Sequence, residues 1–563
     1  MTKNIVSLIV SLTSLIFLTG FFYLSLKLFK YFGYWGLGAS IILLFIILIT
    51  LLLVVLLAFI LHYKRGIKKI IIKLIDWLKS SLIWQKLSQK MRKNWPRFYQ
   101  FTEDRLNKNL FLGLYFTLGL FVSLIFFFFF LNIIIDIIFK QPLGLADLRI
   151  ISLFQTIVSD KLNYLFIFFT SLANLQNVLV ISLTLIIYLL IIKNYRAIKY
   201  FIITIGTGLL LLPLTKILFQ RVRPDTGNLI VLPTSFSLPS GHALFAVCLY
   251  GFVAYLSFKN YKNITIKIFS AALYLLLIIF IGLSRVYLGV HYFSDVLAGW
   301  YLGLVILTIT ITFFELENKF YPKKLKATEI NPLKKYIVLI ILLIIIAFSV
   351  KNSFTNIKII APVTVKTTIS LNDFLKNITP YSENLFGDKM EPFNFIIIGD
   401  KQKIIQLFAK AGWYLAEPPT LKTFFLLSSG VAKNNSYPTA PMTPAFYNGK
   451  TNDLGFEKPT ALNSARQRHH TRYWQSNYQI NNNEIWVATA SFDRGVEIGQ
   501  IIKLPTHQID PDIDAEREFI IIGLLKTGLI SSYKKIDLVG KKTGKNAAGD
   551  KFFTDGKAYL IYL

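Results

Sequence analysis

Residues 110–131 read LFLGLYFTLGLFVSLIFFFFFL, and residues 41–61 read IILLFIILITLLLVVLLAFIL. Neither run holds a charged side chain, and each matches the roughly 20 residues that a helix needs to cross a bilayer. Backbone in lipid must satisfy its own N–H and C=O groups, so such runs read as helices. Working outward, the same reading predicts nine spans, at about 5–29, 36–62, 110–138, 175–192, 199–215, 242–257, 268–284, 293–314 and 336–350. The first is long for a signal peptide and no small-x-small cleavage site follows it, so it reads as a retained anchor. An all-soluble chain is excluded, and so is long disorder. The single cysteine among 563 residues, Cys248, excludes a disulfide framework.

The net charge is +31, with 61 basic and 30 acidic side chains. Its placement decides what it means. Between spans, segment 63–108 holds thirteen Lys and Arg against three acids, and 315–335 holds six against three. Segments 193–198 and 258–267 hold two and three, with no acids. All four fall on one side of a nine-span chain. The positive-inside rule makes that side cytoplasmic and puts residues 351–563 outside, in the periplasm of a Gram-negative cell. Anionic head groups account for the charge. No basic recognition helix or stacking module is present, so nucleic acid is not an expected partner.

Four regions follow. Residues 1–109 are two transmembrane helices and a basic segment. In Ile67 to Met91 apolar Ile70, Leu74, Trp77, Leu78 and Leu82 recur at helical spacing among lysines, which fits an interfacial helix or a plain linker. Residues 110–314 form a six-span core, within which 139–174 read as amphipathic outer surface. Residues 315–350 are a linker and the ninth span. Residues 351–563 alternate in short runs, as at Ile357 to Thr368, Asn394 to Ile398 and Glu484 to Ala490, with turn clusters between them. Helices are expected there at about 401–412, 419–430 and 514–528, the last capped by Asp514. The fold class is an all-α polytopic membrane protein with a C-terminal soluble α+β domain.

Three polar clusters sit at the outer ends of spans five to eight: Lys216 with Arg223-Pro224, Pro239-Ser240-Gly241-His242, and Ser284-Arg285 with His291 and Asp295. Such groups are costly at a membrane boundary without a function. Lys216, Arg223 and Arg285 are three cations, two with the fork that suits phosphate oxygens. Ser240, Gly241 and His242 open a helix, whose N–H groups make an anion site. His291 and Asp295 are four apart and share a helix face. Asp295 then holds one ring nitrogen and leaves the other as a nucleophile, while His242 is free to act as an acid. Arg221 reads as a surface or head-group contact, and Tyr287 and Tyr292 as interfacial aromatics. Ser284, taken alone, reads as a turn or cap residue.

K-x-x-x-x-x-x-R-P, P-S-G-H and S-R-x-x-x-x-x-H-x-x-x-D, in that order, resemble the tripartite signature of the type 2 phosphatidic acid phosphatase superfamily, which also includes vanadium haloperoxidases. The resemblance covers about residues 110–314. It implies a six-helix membrane lipid phosphatase that needs no metal or other cofactor. In it His291 becomes a phosphohistidine, Asp295 orients it and His242 protonates the leaving oxygen. Lys216, Arg223, Ser240, Gly241 and Arg285 hold the phosphoryl oxygens. The substrate is then a membrane lipid monophosphate or diphosphate, such as undecaprenyl diphosphate or phosphatidate. A phosphotransferase using the same phosphohistidine and a non-catalytic envelope scaffold are the rival readings.

The C-terminal region concentrates His469, His470, Arg472 and Trp474, then Asp493-Arg494-Gly495, then His507 with Asp510, Asp512, Asp514, Glu516 and Arg517. No H-E-x-x-H or C-x-x-C spacing is present, so an ion-pair network or an undefined binding site is expected rather than zinc. H-x-R-x-W at 470–474, W-V-A-T-A-S-F-D-R-G at 486–495 and T-H-Q-I-D-P-D-I-D-A-E-R at 506–517 resemble the LssY C-terminal domain. An envelope partner is open for it, and the oligomeric state is not legible. Residues 1–109 are too short for the DedA-type domain that often begins related chains.

Overall fold

The computed structural model describes residues 80–225, 227–322, 332–360, 366–418, 435–462, 467–498, 505–546 and 549–563, with positions 423, 426 and 429. The two expected spans before residue 80, most of the expected helix at 419–430 and residues 323–331 of the expected linker lie outside the described residues. The chain divides into two compact units. Among described residues, one takes in 80–139 and 159–360, the other 140–158 and 366–563.

In the first unit five helices are long and apolar enough to cross a membrane: Leu114–Ile138, Tyr195–Phe219, Gly241–Asn260, Ile264–Tyr287 and Phe293–Phe320. A sixth crossing exists if Asp160–Ser171 and Leu175–Ile191, bent by 52° at their junction, count as one. The nine expected spans are thus represented by five or six among the described residues, followed by the apolar helix Pro332–Asn356. Residues 160–171 were expected on an amphipathic surface. Within that stretch, expected over 139–174, Asp160–Ser171 is a helix with Phe166, Ile167 and Thr170 buried on one face and Tyr164, Leu165 and Phe168 exposed on the other, and it forms the first half of the bent pair.

Lipid-facing and core faces separate by helical period. On Leu114–Ile138, Tyr115, Val122, Phe126, Phe130 and Ile133 are buried, while Phe121, Leu124, Phe128 and Leu131 point outward. Every side is apolar because both solvents, protein and lipid, are apolar.

Small residues set the closest approach. A Cβ on Gly299 would lie 2.5 Å from the Ser240 carbonyl oxygen, and one on Gly303 would lie 2.9 Å from Val247. These two glycines, one helical turn apart, let Gly241–Asn260 press against Phe293–Phe320. The contact brings the starts of both helices together. Ser240 N–H donates to the Asp295 carbonyl at 3.0 Å.

At that same end, Leu229 N–H donates to Leu288 O at 3.1 Å and Ile360 N–H to Leu229 O at 2.9 Å. Ile359 pairs with Ile230 as an isolated bridge. Within the alternating stretch at 357–368, Ile359 bridges Ile230 and Thr367–Thr368 is a strand, while residues 361–365 lie outside the described residues.

The second unit centres on a nine-stranded sheet. Its main path runs Ser532–Asp537, Lys557–Tyr562, Phe395–Ile398, Asn483–Ile498, Arg468–Ile480, Leu454–Pro459 and Tyr414–Leu415. Both faces are covered, which the alternation explains. Phe395, Ile397, Tyr473, Trp486 and Ala488 face one core with helices Lys401–Lys410 and Ile513–Leu525. Ile396, Ile398, Trp474, Ile485 and Val487 face the other with Phe374 of helix Leu371–Asn377.

The last large helix is capped by Asp512, not Asp514. The Asp512 carboxylate accepts from Asp514 N–H at 3.1 Å and Ala515 N–H at 3.0 Å, and Asp514 pairs with Arg517 instead. Helix Pro142–Gln155 also belongs to this unit. Arg149 pairs with Glu383 at 2.6 Å, and Ser152 Oγ accepts from Thr451 N–H at 2.8 Å.

Candidate active site

Every one of the eight predicted site residues lies at one end of the helical unit. Lys216 is in the last turn of Tyr195–Phe219, and Gln220, with φ 44°, turns the chain out of that helix. Arg223 follows in extended backbone. Ser240 precedes the helix that Gly241 and His242 begin. Arg285 is in the last turn of Ile264–Tyr287, His291 is in the connection after it, and Asp295 is in the first turn of Phe293–Phe320.

Arg223 is the central cation. Its Nε donates to Ser235 O at 2.8 Å and its Nη1 to Val290 O at 2.7 Å. The same Nη1 lies 3.0 Å from His291 Nε2. A guanidinium only donates, so Nε2 is the bare nitrogen and Nδ1 carries the proton. Nδ1 lies 3.3 Å from Ser237 Oγ and 3.4 Å from Asp295 Oδ2. Burial, with Arg223 and Arg285 adding to it, pushes the His291 imidazole down to about 3 against the pull of Asp295. The ring is neutral at pH 7, as a nucleophile must be.

Asp295 is fully buried and heavily supplied with donors. Arg221 Nη1 donates to Oδ1 at 2.7 Å. Tyr292 N–H donates to Oδ2 at 3.0 Å, and Ser237 Oγ–H donates to the same oxygen in a short bond. Arg221 is therefore not a surface contact; it clamps Asp295, lies over the Tyr292 ring at 4.1 Å and bonds Ser294 Oγ. Tyr292 is the platform for that guanidinium. Tyr287 is not interfacial either. It is buried, stacks on Phe166 and donates to Asn163 Oδ1 at 2.8 Å. Ser284 is no cap: inside its helix it donates to the Ile281 carbonyl at 2.6 Å.

Two donors in the cluster are buried without a hydrogen-bond partner among the described residues: Ser240 Oγ and Arg285 Nε. Arg285 Nη1 donates to Thr170 Oγ1. Lys216 Nζ donates to Ser235 Oγ at 3.0 Å and Phe236 O at 2.6 Å. A Cβ on Gly241 would meet Leu212 at 2.9 Å. His242 Nε2 lies 2.9 Å from Asn174 Oδ1. Three cations, a helix start and two unpaired donors around a bare imidazole nitrogen are equipped to take a phosphoryl group.

Sequence reasoning missed Ser237, Arg221, Thr170 and Asn174 as members of this arrangement. Ser237 stands three residues before Ser240 and Arg221 two before Arg223, so proximity to the motifs was a usable signal for those two. Nothing in the sequence marked Thr170 or Asn174.

The second polar concentration, in the other unit, is a strip on one sheet face. Arg468 pairs with Asp493 at 3.1 Å and Glu457 at 2.8 Å. His470 Nε2 lies 3.1 Å from Ser491 Oγ, and Nδ1 3.4 Å from Asp493. His469 pairs with Glu516 and stacks on Phe519 from the opposite face. Burial, with Asp493 adding to it, pushes the Glu457 carboxyl up to about 7, against the Arg468 guanidinium. The expected ion-pair network is what these side chains form.

Comparison with known proteins adds two domains. A model of the PAP2 superfamily matches residues 196–319, and a model described as LssY C-terminus matches residues 375–558. Phosphatidylglycerophosphatase B of Bacillus subtilis (strain 168) is 37% identical over 125 residues, 22% of this chain and 60% of that protein. Lipid phosphate phosphatase delta of Arabidopsis thaliana is 36% identical over 91 residues, 16% of this chain and 22% of that protein. The chain thus spans three fifths of one relative and about a fifth of the other. A transmembrane PAP2 type phosphatidylglycerolphosphate phosphatase from Bacillus subtilis, solved by crystallography, is 27% identical with a TM-score of 0.29. That match covers 36% of this chain and 98% of that one.

Proposed function

We propose that this chain, which carries a PAP2 superfamily domain and an LssY C-terminus domain, is an integral-membrane lipid phosphatase working through a phosphohistidine on His291. One observation carries the reading. Arg285 Nε and Ser240 Oγ, buried and unpaired among the described residues, belong to the same cluster as the bare His291 Nε2 held by Arg223.

The geometry translates into steps. His291 Nε2 attacks phosphorus, and the bond from phosphorus to the leaving oxygen breaks. His242 gives that oxygen its proton. The Arg223 N–H passes from Nε2 to a phosphoryl oxygen. Lys216, Arg285, Ser240 and the N–H groups at the start of Gly241–Asn260 meet the remaining negative charge. Asp295 and Ser237 hold the Nδ1 proton and stabilise the charged ring. Water then attacks the phosphohistidine, gives a proton to His242 and releases phosphate.

The substrate on this reading is a lipid monophosphate or diphosphate, with undecaprenyl diphosphate and phosphatidate as members of the class. The relatives' names add phosphatidylglycerophosphate. Nine spans would place the site and the C-terminal domain on the periplasmic side of the inner membrane. One observation supports that reading: the basic loops cluster on the opposite side.

A phosphate-release assay on the purified protein across these lipids, with and without EDTA, tests the function. Release from at least one lipid is expected, unchanged by EDTA, because Lys216, Arg223 and Arg285 occupy the charge-neutralising role. Activity lost on chelation and restored by Mg²⁺ or Zn²⁺, or no release from any lipid, overturns the reading. Topology has its own check. A cysteine near Asn481 should react with an impermeant thiol reagent in spheroplasts, and one near Lys324 should not. A cytoplasmic Asn481 would mean that a span is miscounted.

A further inference from the structure

The two site histidines have different partners. His291 Nδ1 faces a carboxylate, Asp295, with Ser237 beside it. His242 Nε2 faces the side-chain oxygen of Asn174 at 2.9 Å. An amide oxygen can only accept, so Nε2 of His242 carries a proton in every state in which this bond exists.

Asn174 reaches the site because of the break between Asp160–Ser171 and Leu175–Ile191. It stands just before the second helix, and its own carbonyl accepts from Val178 N–H at 2.8 Å. Thr170, on the other side of the break, bonds Arg285. Tyr250 OH donates to Leu172 O at 2.8 Å and pins the turn between them. The 52° bend thus delivers two polar side chains, one to a phosphate-binding cation and one to the acid.

We propose that Asn174 is the positioning residue of the general acid His242, fixing Nε2 as the permanently protonated nitrogen so that Nδ1 is the one that exchanges the catalytic proton. The inference rests on the acid role given to His242 above. As the phosphorus–oxygen bond breaks, its electron pair stays on the leaving oxygen, which takes the Nδ1 proton. In the second half, water returns a proton to Nδ1 as its oxygen bonds phosphorus. A neutral amide orients the ring without adding a negative charge. A carboxylate there would hold the imidazolium too firmly for it to donate. The other charged or titratable groups around His242 are Lys216 from Tyr195–Phe219, Arg223 from the 221–224 segment, Arg285 from Ile264–Tyr287 and the His291 imidazole. Asp295, on Phe293–Phe320, is engaged by Arg221.

The test uses the full chain in detergent with an alkyl phosphate and p-nitrophenyl phosphate. Asn174→Asp is nearly isosteric, and the Asn174 side chain makes no cap hydrogen bond that the change could remove. It should move the alkaline limb of kcat/KM up by about one to two pH units. Asn174→Ala should cost about tenfold or more on the alkyl phosphate and distinctly less on p-nitrophenyl phosphate. Unshifted pH limbs in Asn174→Asp, with equal losses on both substrates in Asn174→Ala, overturn the proposal. His242→Ala run alongside separates the two layers. If its own loss is independent of the leaving group, the acid role falls and this proposal with it. If that loss depends on the leaving group while the Asn174 variants behave as wild type, only the positioning role fails.

Discussion

His291→Ala abolishes turnover, with an expected loss of about 10⁴–10⁶-fold, the scale seen when a nucleophile acting in concert with its base is removed. The reason is geometric. His291 Nε2 is the one bare nitrogen held by Arg223, and its other nitrogen is tied to Asp295 and Ser237. Alanine also removes one partner each from Arg223 Nη1, which keeps Val290 O, and from Asp295, which keeps Arg221, Tyr292 N–H and Ser237; the fold of the variant needs checking by thermal unfolding. The wild type, given labelled lipid and quenched without acid, should carry label on His291, because a phosphoramidate survives base and is lost in acid. Label on a hydroxyl of the cluster instead, such as buried Ser240 or Ser237, would overturn the assignment.

His242→Ala costs about 10²–10⁴-fold on a natural lipid ester, the range for losing a general acid. The loss must shrink with p-nitrophenyl phosphate, whose leaving group departs without a proton. A structural histidine removed from the same place would lower both rates alike. That contrast, not the size of either loss, identifies the role. Equal losses on good and poor leaving groups would leave His242 as a packing residue and move the search for the acid elsewhere.

The candidate site residues were legible because each is anomalous where it stands. Lys216, Arg223, Arg285, His291 and Asp295 interrupt or end apolar runs, and an ionisable group at a bilayer boundary needs a reason to be there. Their supports were not legible in that way. Arg221 reads as a surface or head-group contact, and Ser237 and Asn174 are uncharged polar residues that fall in none of the motifs. Partners of such groups lie far along the chain. Ser237 meets Asp295 across 58 residues, Arg221 meets it across 74, Asn174 meets His242 across 68 and Thr170 meets Arg285 across 115.

The same division runs through the fold. Helix Lys401–Lys410 and the strand at Phe395–Ile398 follow from local periodicity and agree with the expected positions. The cap of the last helix moved from Asp514 to Asp512, because Asp514 is drawn to Arg517 and to the backbone N–H of Asp555. Which face of residues 160–171 is buried follows from partners on Ile264–Tyr287, among them Phe280 against Phe169 and Tyr287 against Phe166, that no local pattern names.

By itself the sequence determined that long apolar helices of membrane-spanning character are present, where the main ones lie, and which residues are candidates for phosphate chemistry. Apolar run length, charge placement and motif spacing are properties of the chain in one dimension, and lipid punishes every exception. Only the tertiary structure decided which nitrogen of His291 is bare, what clamps Asp295, and that a break in a helix supplies the partner of His242. Those depend on hydrogen-bond directions between segments whose approach is set by packing, such as Gly299 and Gly303 against the helix of Ser240, and no local pattern encodes a direction in space.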